Sequence, residues 1–287
     1  MSRALLNDGR NIPSIGLGVY QSDPGEETYN AVAEALRIGY RHIDTASFYD
    51  NEASVGSAVR DSAVSRADIW ITSKLWPFQY EGRSAEDAYA WAIAQAESSL
   101  EQLNIEYIDL YLLHAPPSLR KKYDARAAMW RALEEMQRRG LLKSIGVSNY
   151  GEHHLDALVG SAETSVVPAV NQIEVHPFLR RDSLVAKCAL LGIAVEAYSP
   201  LAKARRLDDA TLVAIAAKHS MTTAQIMIRW SLQLGMIALP KSVHAVRIAE
   251  NFAAAAWAAG GLDAEDMVKL NALDEHLVTG WDPTVEK

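Results

Sequence analysis

Cysteine is nearly absent. The chain has one, Cys188, so no internal disulfide can staple it, and its neighbours in the helical pattern SLVAKCALLG predict a buried, inert thiol. Also missing is any apolar run approaching the roughly 20 residues that a membrane-crossing helix needs. The opening MSRALLNDGR lacks the apolar core and small-residue cleavage site of a secretion signal. Together these absences predict a cytoplasmic protein. Positive charge is scarce: 28 Lys and Arg against 36 Asp and Glu leave a net −8, which argues against a nucleic-acid partner. The best basic cluster, Arg120-Lys121-Lys122, reads as a solvated loop. What the chain does have is apolar material, 49% of 287 residues, enough for a substantial core.

That material is arranged in short β-branched or apolar runs alternating with amphipathic stretches. The runs are IGLGV (15–19), RHIDT (41–45), IWITSK (69–74), IDLYLLH (108–114), SIGVS (144–148), AVNQIEV (169–175), IAVEAY (193–198) and MIALP (236–240). Their nearly continuous apolar character suits parallel strands buried on both faces. The clearest helix is SAEDAYAWAIAQAESSLEQLN, where Ser84 and Asp87 form a capping signal and Tyr89, Ala92, Ile93, Ala96, Leu100 and Leu103 recur on one face. Eight βα repeats without a linker, in a chain slightly longer than the ~250 residues usual for the fold, predict an α/β protein. It would be one (β/α)8 barrel domain spanning residues 1–287. A doubly wound sheet fits less well, because GLGVYQ (16–21) lacks the third glycine of a dinucleotide fingerprint and no helix follows it directly. Ahead of the repeats, Asn7-Asp8-Gly9 between apolar flanks predicts a β-hairpin, whose natural place is the barrel floor.

In such a barrel the reacting groups project from the carboxyl ends of the strands. The second run ends near Asp44, the third in Lys74 and the fourth in His114, with Tyr49 in the loop after Asp44. Each alone reads as turn, rim or core chemistry; together at successive strand ends they define a site. An ammonium beside Tyr49, held charged by Asp44, is expected to lower the phenol's pKa and make it a usable proton donor, with His114 orienting a substrate oxygen. This is carbonyl chemistry. Three other readings remain. His42, Asp44, His114 and His176 suggest a metal hydrolase, but the first run offers no His-x-His pair, so no metal is expected. Lys74 suggests a Schiff-base lyase, although pairing with Asp44 makes it a poor nucleophile. The third is a noncatalytic nucleotide-binding subunit.

Nine stretches in order, GLGVYQ, GYRHIDTASFYDNE, ITSKLW, YIDLYLLH, GLLKSIGVSNY, AVNQIEVHP, AYSPL, TAQIMIRW and LPKSV…RIAEN, closely resemble the aldo-keto reductases over nearly the whole chain. Within that family the likeness is greatest to bacterial members similar to 2,5-diketo-D-gluconic acid reductase. The resemblance implies a catalytic tetrad of Asp44, Tyr49, Lys74 and His114, and NADPH as the hydride donor. It implies that the nicotinamide stacks on Tyr198, with Ser148, Asn149 and Gln172 holding its carboxamide, although Ser148-Asn149 also reads as a helix cap. Val19, Tyr20, Ser199 and Leu201 are implied as further cofactor contacts, the last two in a loop made cationic by Lys203, Arg205 and Arg206. Lys241, Ser242, Val243 and Arg247 are implied at the 2′-phosphate, where two cations beside a helix N-terminus suit an anion. Glu250 and Asn251 are implied near the adenine. Tyr20, Phe48, Trp76, Ala115 and Trp281 are expected to line the substrate pocket, and Ala115, where many members carry tryptophan, to widen it. The expected substrates are small reactive carbonyls such as methylglyoxal and aromatic aldehydes, or diketo sugar acids, acted on by a monomer.

Overall fold

The computed structural model describes residues 2–80, 84–116, 125–256 and 260–286. Arg120-Lys121-Lys122 and most of the loop that contains them lie outside the described residues.

Strands β1 (Arg3–Leu5) and β2 (Asn11–Pro13) form an antiparallel hairpin, with Gly9 at φ 84° closing the turn. Eight parallel strands follow: β3 (Leu17–Gly18), β4 (His42–Asp44), β5 (Trp70–Leu75), β6 (Ile108–Leu113), β7 (Leu142–Ser148), β8 (Val170–Glu174), β9 (Ala194–Tyr198) and β10 (Ile237–Leu239). They pair in sequence order, and the bridges Ile15↔Ala238 and Gly18↔Lys241 join first to last, so the sheet closes on itself. All eight predicted runs become strands. Side chains pack closely on Gly16, where an added Cβ would stand 2.7 Å from His42 Nδ1 and 2.8 Å from Leu239 Cδ2.

The helices are α1 (Glu26–Ile38), α2 (Glu52–Asp61), α3 (Ala85–Leu103), α4 (Ala125–Arg138), α5 (Glu152–Val159), α6 (Asp182–Leu190), α7 (Ala210–His219), α8 (Thr223–Gln233), α9 (Ala245–Ala253) and α10 (Ala264–Asn271). Two of them, α7 and α8, fill the single crossover from β9 to β10, a departure from strict βα repetition. Local chemistry sets their ends. Ser84 Oγ accepts the Asp87 amide at 3.0 Å to open α3, and Asn104, at φ 50°, closes it. Thr222 and Gln225 cap α8 reciprocally. Replacing Ser84 by Ala is expected to cost about 1 kcal/mol, seen as a lower urea midpoint with an unchanged slope.

The hairpin sits on the barrel floor. Leu6 and Ile12 pack with Trp70, Leu110, Leu112, Ala169, Val170 and Ile237, while Ser144 Oγ donates to Asp8 at 2.6 Å and Asn7 Nδ2 to the Pro168 carbonyl at 2.9 Å. With that end sealed, the opposite end is free to be a mouth. No helix among the described residues is long and apolar enough to cross a membrane.

Candidate active site

At the mouth, the carboxyl ends of β4, β5 and β6 bring Asp44, Lys74 and His114 together. Lys74 is fully buried, and its Nζ donates to Asp44 Oδ1 at 2.8 Å and to the Thr45 carbonyl at 2.8 Å. Tyr49 closes a 3₁₀ turn, Ser47–Tyr49, that is pinned when Ser47 Oγ donates to the Lys74 carbonyl at 2.9 Å. The turn aims the phenol inward, 3.4 Å from Lys74 Nζ and 3.4 Å from His114 Nε2. Lys74 and His114 therefore meet at the Tyr49 hydroxyl, with Asp44 bonded behind Lys74.

The electrostatics differ from expectation in one respect. Burial and the nearby Asp44 carboxylate raise the Tyr49 phenol well above its ordinary value instead of lowering it. The reason is that Asp44 neutralises Lys74, leaving desolvation unopposed. Tyr49 consequently holds its proton at neutral pH and is available as a donor. Burial and the Lys74 charge push His114 well below the usual imidazole value, so it is a neutral ring.

A layer of amides surrounds this group. Gln172 Nε2 donates one proton to Asp44 Oδ2 at 2.8 Å and the other to Glu196 Oε2 at 2.7 Å. Tyr198 donates to Asn149 Oδ1 at 2.8 Å, and Asn149 Nδ2 in turn donates to the His114 carbonyl at 2.9 Å. Ser148 Oγ donates to the Gln172 carbonyl at 2.8 Å. Neither Ser148 nor Asn149 caps the following helix, contrary to that reading: the N-cap of α5 is Gly151, whose amide donates to His154 Nδ1 at 3.0 Å. Both side chains are drawn toward the barrel axis by partners on neighbouring strands.

Above these residues opens a cavity of about 780 Å³ that extends from Tyr49 and His114 past Tyr198, Ser199 and Leu201 to Lys241, Ser242, Val243, Arg247, Glu250 and Asn251. Two helix N-termini reach it, Thr222–Ala224 of α8 and the start of α9, and Gln225 Nε2 ties them by donating to the Glu250 carbonyl at 2.9 Å. Positive ends of helices beside Lys241 and Arg247 suit a phosphate. The donor set at the mouth also suits a nicotinamide carboxamide. With both Nε2 protons of Gln172 committed, only its Oε1 is left to accept a bond, in a cavity that Tyr198 also lines. One expected contact, Val19, is fully buried and does not line the cavity, its carbonyl accepting from Asn51 at 3.0 Å.

Aromatic rings form the remaining wall. Phe48 stacks on Trp76 at 4.4 Å, Trp76 stands edge-on to His114 at 5.0 Å and to Trp281 at 6.2 Å, and Tyr20 leans on Tyr49 at 5.0 Å. Tyr20, Phe48 and Trp281 are each more than 40% exposed while the barrel core is sealed, the pattern of a binding surface. Phe78, which the sequence reading passed over, joins them by packing on Trp281 at 5.5 Å. Ala115 is fully buried and is not among the residues that line the cavity, and residues 117–124, which follow it closely, lie outside the described residues. A C-terminal tail holds Trp281 in place. Glu174 accepts bonds from the Thr279 amide and hydroxyl, and Arg181 donates to Asp282 at 2.9 Å and Thr284 at 2.9 Å.

The histidines do not assemble a metal site. His42 Nε2 contacts Thr72 Oγ1 at 3.0 Å and His176 contacts Glu174 at 3.4 Å, and no cluster of three candidate ligands occurs among the described residues. Cys188 is buried, with its thiol pushed up to about 11 by desolvation.

Comparison with known proteins identifies the family. The family pattern described as "Aldo/keto reductase family" matches residues 14–275. An aldo-keto reductase of Mycolicibacterium smegmatis is 42% identical over 281 residues, covering 98% of this chain and 96% of that protein. Methylglyoxal reductase DkgA of Escherichia coli is 40% identical over 281 residues, covering 97% and 95%. The crystal structure of an aldo/keto reductase from Brucella melitensis superposes with a TM-score of 0.84 at 40% identity, covering 95% of this chain and 99% of that one. This chain belongs to the aldo/keto reductase family, enzymes that use a nicotinamide cofactor to interconvert carbonyls and alcohols.

Proposed function

We propose that the chain, acting as one unit over residues 1–287 and as a monomer, reduces small reactive aldehydes and dicarbonyls with NADPH, with Tyr49 as the proton donor. The observation that carries this reading is the Tyr49 hydroxyl. It holds its proton, touches both Lys74 and His114, and opens into a cavity with aromatic walls at one end and two cations at the other. A methylglyoxal reductase among its relatives makes methylglyoxal the first substrate to try.

A reduced nicotinamide, when bound, supplies the electron pair and hydrogen that reach the carbonyl carbon. The protein's part is to polarise and protonate the oxygen. His114, kept neutral by burial, directs the carbonyl oxygen toward Tyr49 through a hydrogen bond at Nε2. As negative charge builds on that oxygen, the Tyr49 proton moves to it, and the Lys74 ammonium stabilises the phenolate left behind. Asp44 holds the Lys74 ammonium in place through their 2.8 Å bond, and Tyr198, Asn149, Ser148 and Gln172 are the residues that would hold a nicotinamide. The aromatic wall of Tyr20, Phe48, Trp76 and Trp281 excludes water and favours apolar or flat substituents.

The 2′-phosphate reading assigns Arg247 and Lys241 charge-assisted bonds that a ribose hydroxyl cannot match. Arg247→Ala is expected to weaken NADPH binding about ten- to a hundredfold while leaving NADH affinity nearly unchanged. Equal loss for both dinucleotides in a fluorescence titration would remove Arg247 from phosphate recognition. The reading as a whole is tested by following NADPH oxidation with methylglyoxal, aromatic aldehydes and diketo sugar acids. Tight NADPH binding without turnover on any of them would favour the noncatalytic alternative.

A further inference from the structure

Beneath the four reactive side chains lies a carboxyl group that the mechanism does not use. Glu196 sits in the middle of β9, fully buried, in the otherwise apolar run AVEAY. Its Oε2 accepts from Gln172 Nε2 at 2.7 Å, and the same nitrogen donates to Asp44 at 2.8 Å, so one amide joins two carboxyl groups. Its Oε1 has no hydrogen-bond partner among the described residues, and His42 Nε2 stands 3.8 Å from it. The ionisable groups facing it are His42 and Asp44 from β4 and Lys74 from β5; β10 on its other side offers Ile237-Ala238-Leu239, none of them ionisable.

Counting charge in this column identifies what Glu196 can do. Asp44 and Lys74 cancel. Burial holds His42 neutral, pushing it down to about 3. An ionised Glu196 would therefore leave one uncompensated negative charge in a low-dielectric interior, separated from the Asp44 carboxylate only by a single amide nitrogen. Buried carboxyl groups in that position keep their protons. Burial and Asp44 raise Glu196 to about 8, against an ordinary 4.5, with Gln172 and Lys74 opposing the rise.

We infer that Glu196 is a positioning residue of this reductase: acting through Gln172 on the Asp44–Lys74 pair, it supports proton donation by Tyr49 while protonated and impedes it once ionised. The inference rests on the reductase reading above. Reduction requires a phenolate to form at Tyr49 as its proton leaves, and Lys74 is the cation that stabilises it. An ionised Glu196 draws on the same cation and adds a like charge to the phenolate's surroundings. The proton lost is Glu196's own, released to solvent, with no redox change. On this account the alkaline decline of carbonyl reduction belongs to Glu196, not to the tyrosine.

The test compares wild type, Glu196→Gln and Glu196→Ala. Wild-type kcat with methylglyoxal and NADPH is expected to fall about tenfold per pH unit above roughly 8, with KM little changed. The Gln variant keeps an oxygen for Gln172 to donate to but cannot ionise, so its profile should stay level, giving about a tenfold relative advantage at pH 9 after normalisation at pH 6.5. The Ala variant leaves an amide proton without an acceptor and should be slower at every pH, with Gln as the partial rescue. A cofactor-free readout accompanies it. Since the folded state holds this proton more tightly than the unfolded state, its contribution to stability is complete below about 4.5 and is lost as pH rises toward about 8. Urea midpoints of wild type should therefore decline relative to Glu196→Gln across that window. An alkaline limb shared by wild type and the Gln variant, or a stability difference constant with pH, would overturn the assignment. Failure of the wild type to oxidise NADPH at all would overturn the reductase reading and this inference with it, whereas failure confined to Glu196 leaves wild-type turnover intact.

Discussion

Replacing Tyr49 by phenylalanine is expected to lower kcat for carbonyl reduction by roughly 10²- to 10⁴-fold while leaving NADPH affinity within about twofold of wild type. The change removes one oxygen. Lys74 loses a 3.4 Å contact but keeps its 2.8 Å bonds to Asp44 and the Thr45 carbonyl, so the ammonium stays in place. His114 likewise loses a 3.4 Å neighbour, but its backbone amide remains bonded to the Leu75 carbonyl at 3.0 Å. The ring still packs edge-on against His114 at 5.4 Å and beside Tyr20. Proton donation is thus separated from cofactor binding and from folding. Stopped-flow reduction of methylglyoxal beside a fluorescence titration with NADPH makes the comparison. Parallel loss of both quantities would mean that the hydroxyl organises the cofactor, and undiminished turnover would place the donor elsewhere.

The second large effect falls on stability. Lys74 is among the largest fully buried side chains, and its partner Asp44 is only 4% exposed. Lys74→Met would leave a carboxylate under the barrel mouth with no cation, a loss expected to cost about 3–5 kcal/mol. Adding Asp44→Asn should recover part of that cost, because the neutral pair no longer buries an unbalanced charge, but should restore no activity. Urea unfolding of the two single variants and the double variant measures the coupling. If Lys74→Met unfolds at the wild-type midpoint, the pair is not the buried ion pair described above.

Much of this arrangement was legible in the sequence, for identifiable reasons. Strands buried on both faces read as near-continuous apolar runs, so all eight were found with boundaries displaced by no more than about two residues. The barrel rule then converted strand ends into positions at the mouth, which is why Asp44, Lys74 and His114 could be grouped before any geometry was known. What could not be read was the balance of charge and burial. The sequence shows that a lysine and a tyrosine are neighbours, not that Asp44 spends the lysine's charge, and so the direction of the Tyr49 shift was reversed. Glu196 was passed over because VEAY was counted as part of an apolar strand; a carboxylate at a position two residues before an inward-facing Tyr198 was the available signal. Val19 and Ala115 are absent from the cavity lining for a related reason. Adjacency to the site along the chain placed them near it, but their side chains are enclosed.

The hairpin and the described tail lie at opposite poles of the barrel. The hairpin Arg3–Pro13 seals the floor, whereas the tail from Thr279 onward crosses beside the mouth and presents Trp281 to the cavity. An affinity handle or surface tether fused ahead of the hairpin would therefore leave the entrance facing the solution. One fused after the tail would hang beside the aromatic wall and pull on the segment that positions it. Immobilising the enzyme by its first residues is the orientation compatible with free substrate access.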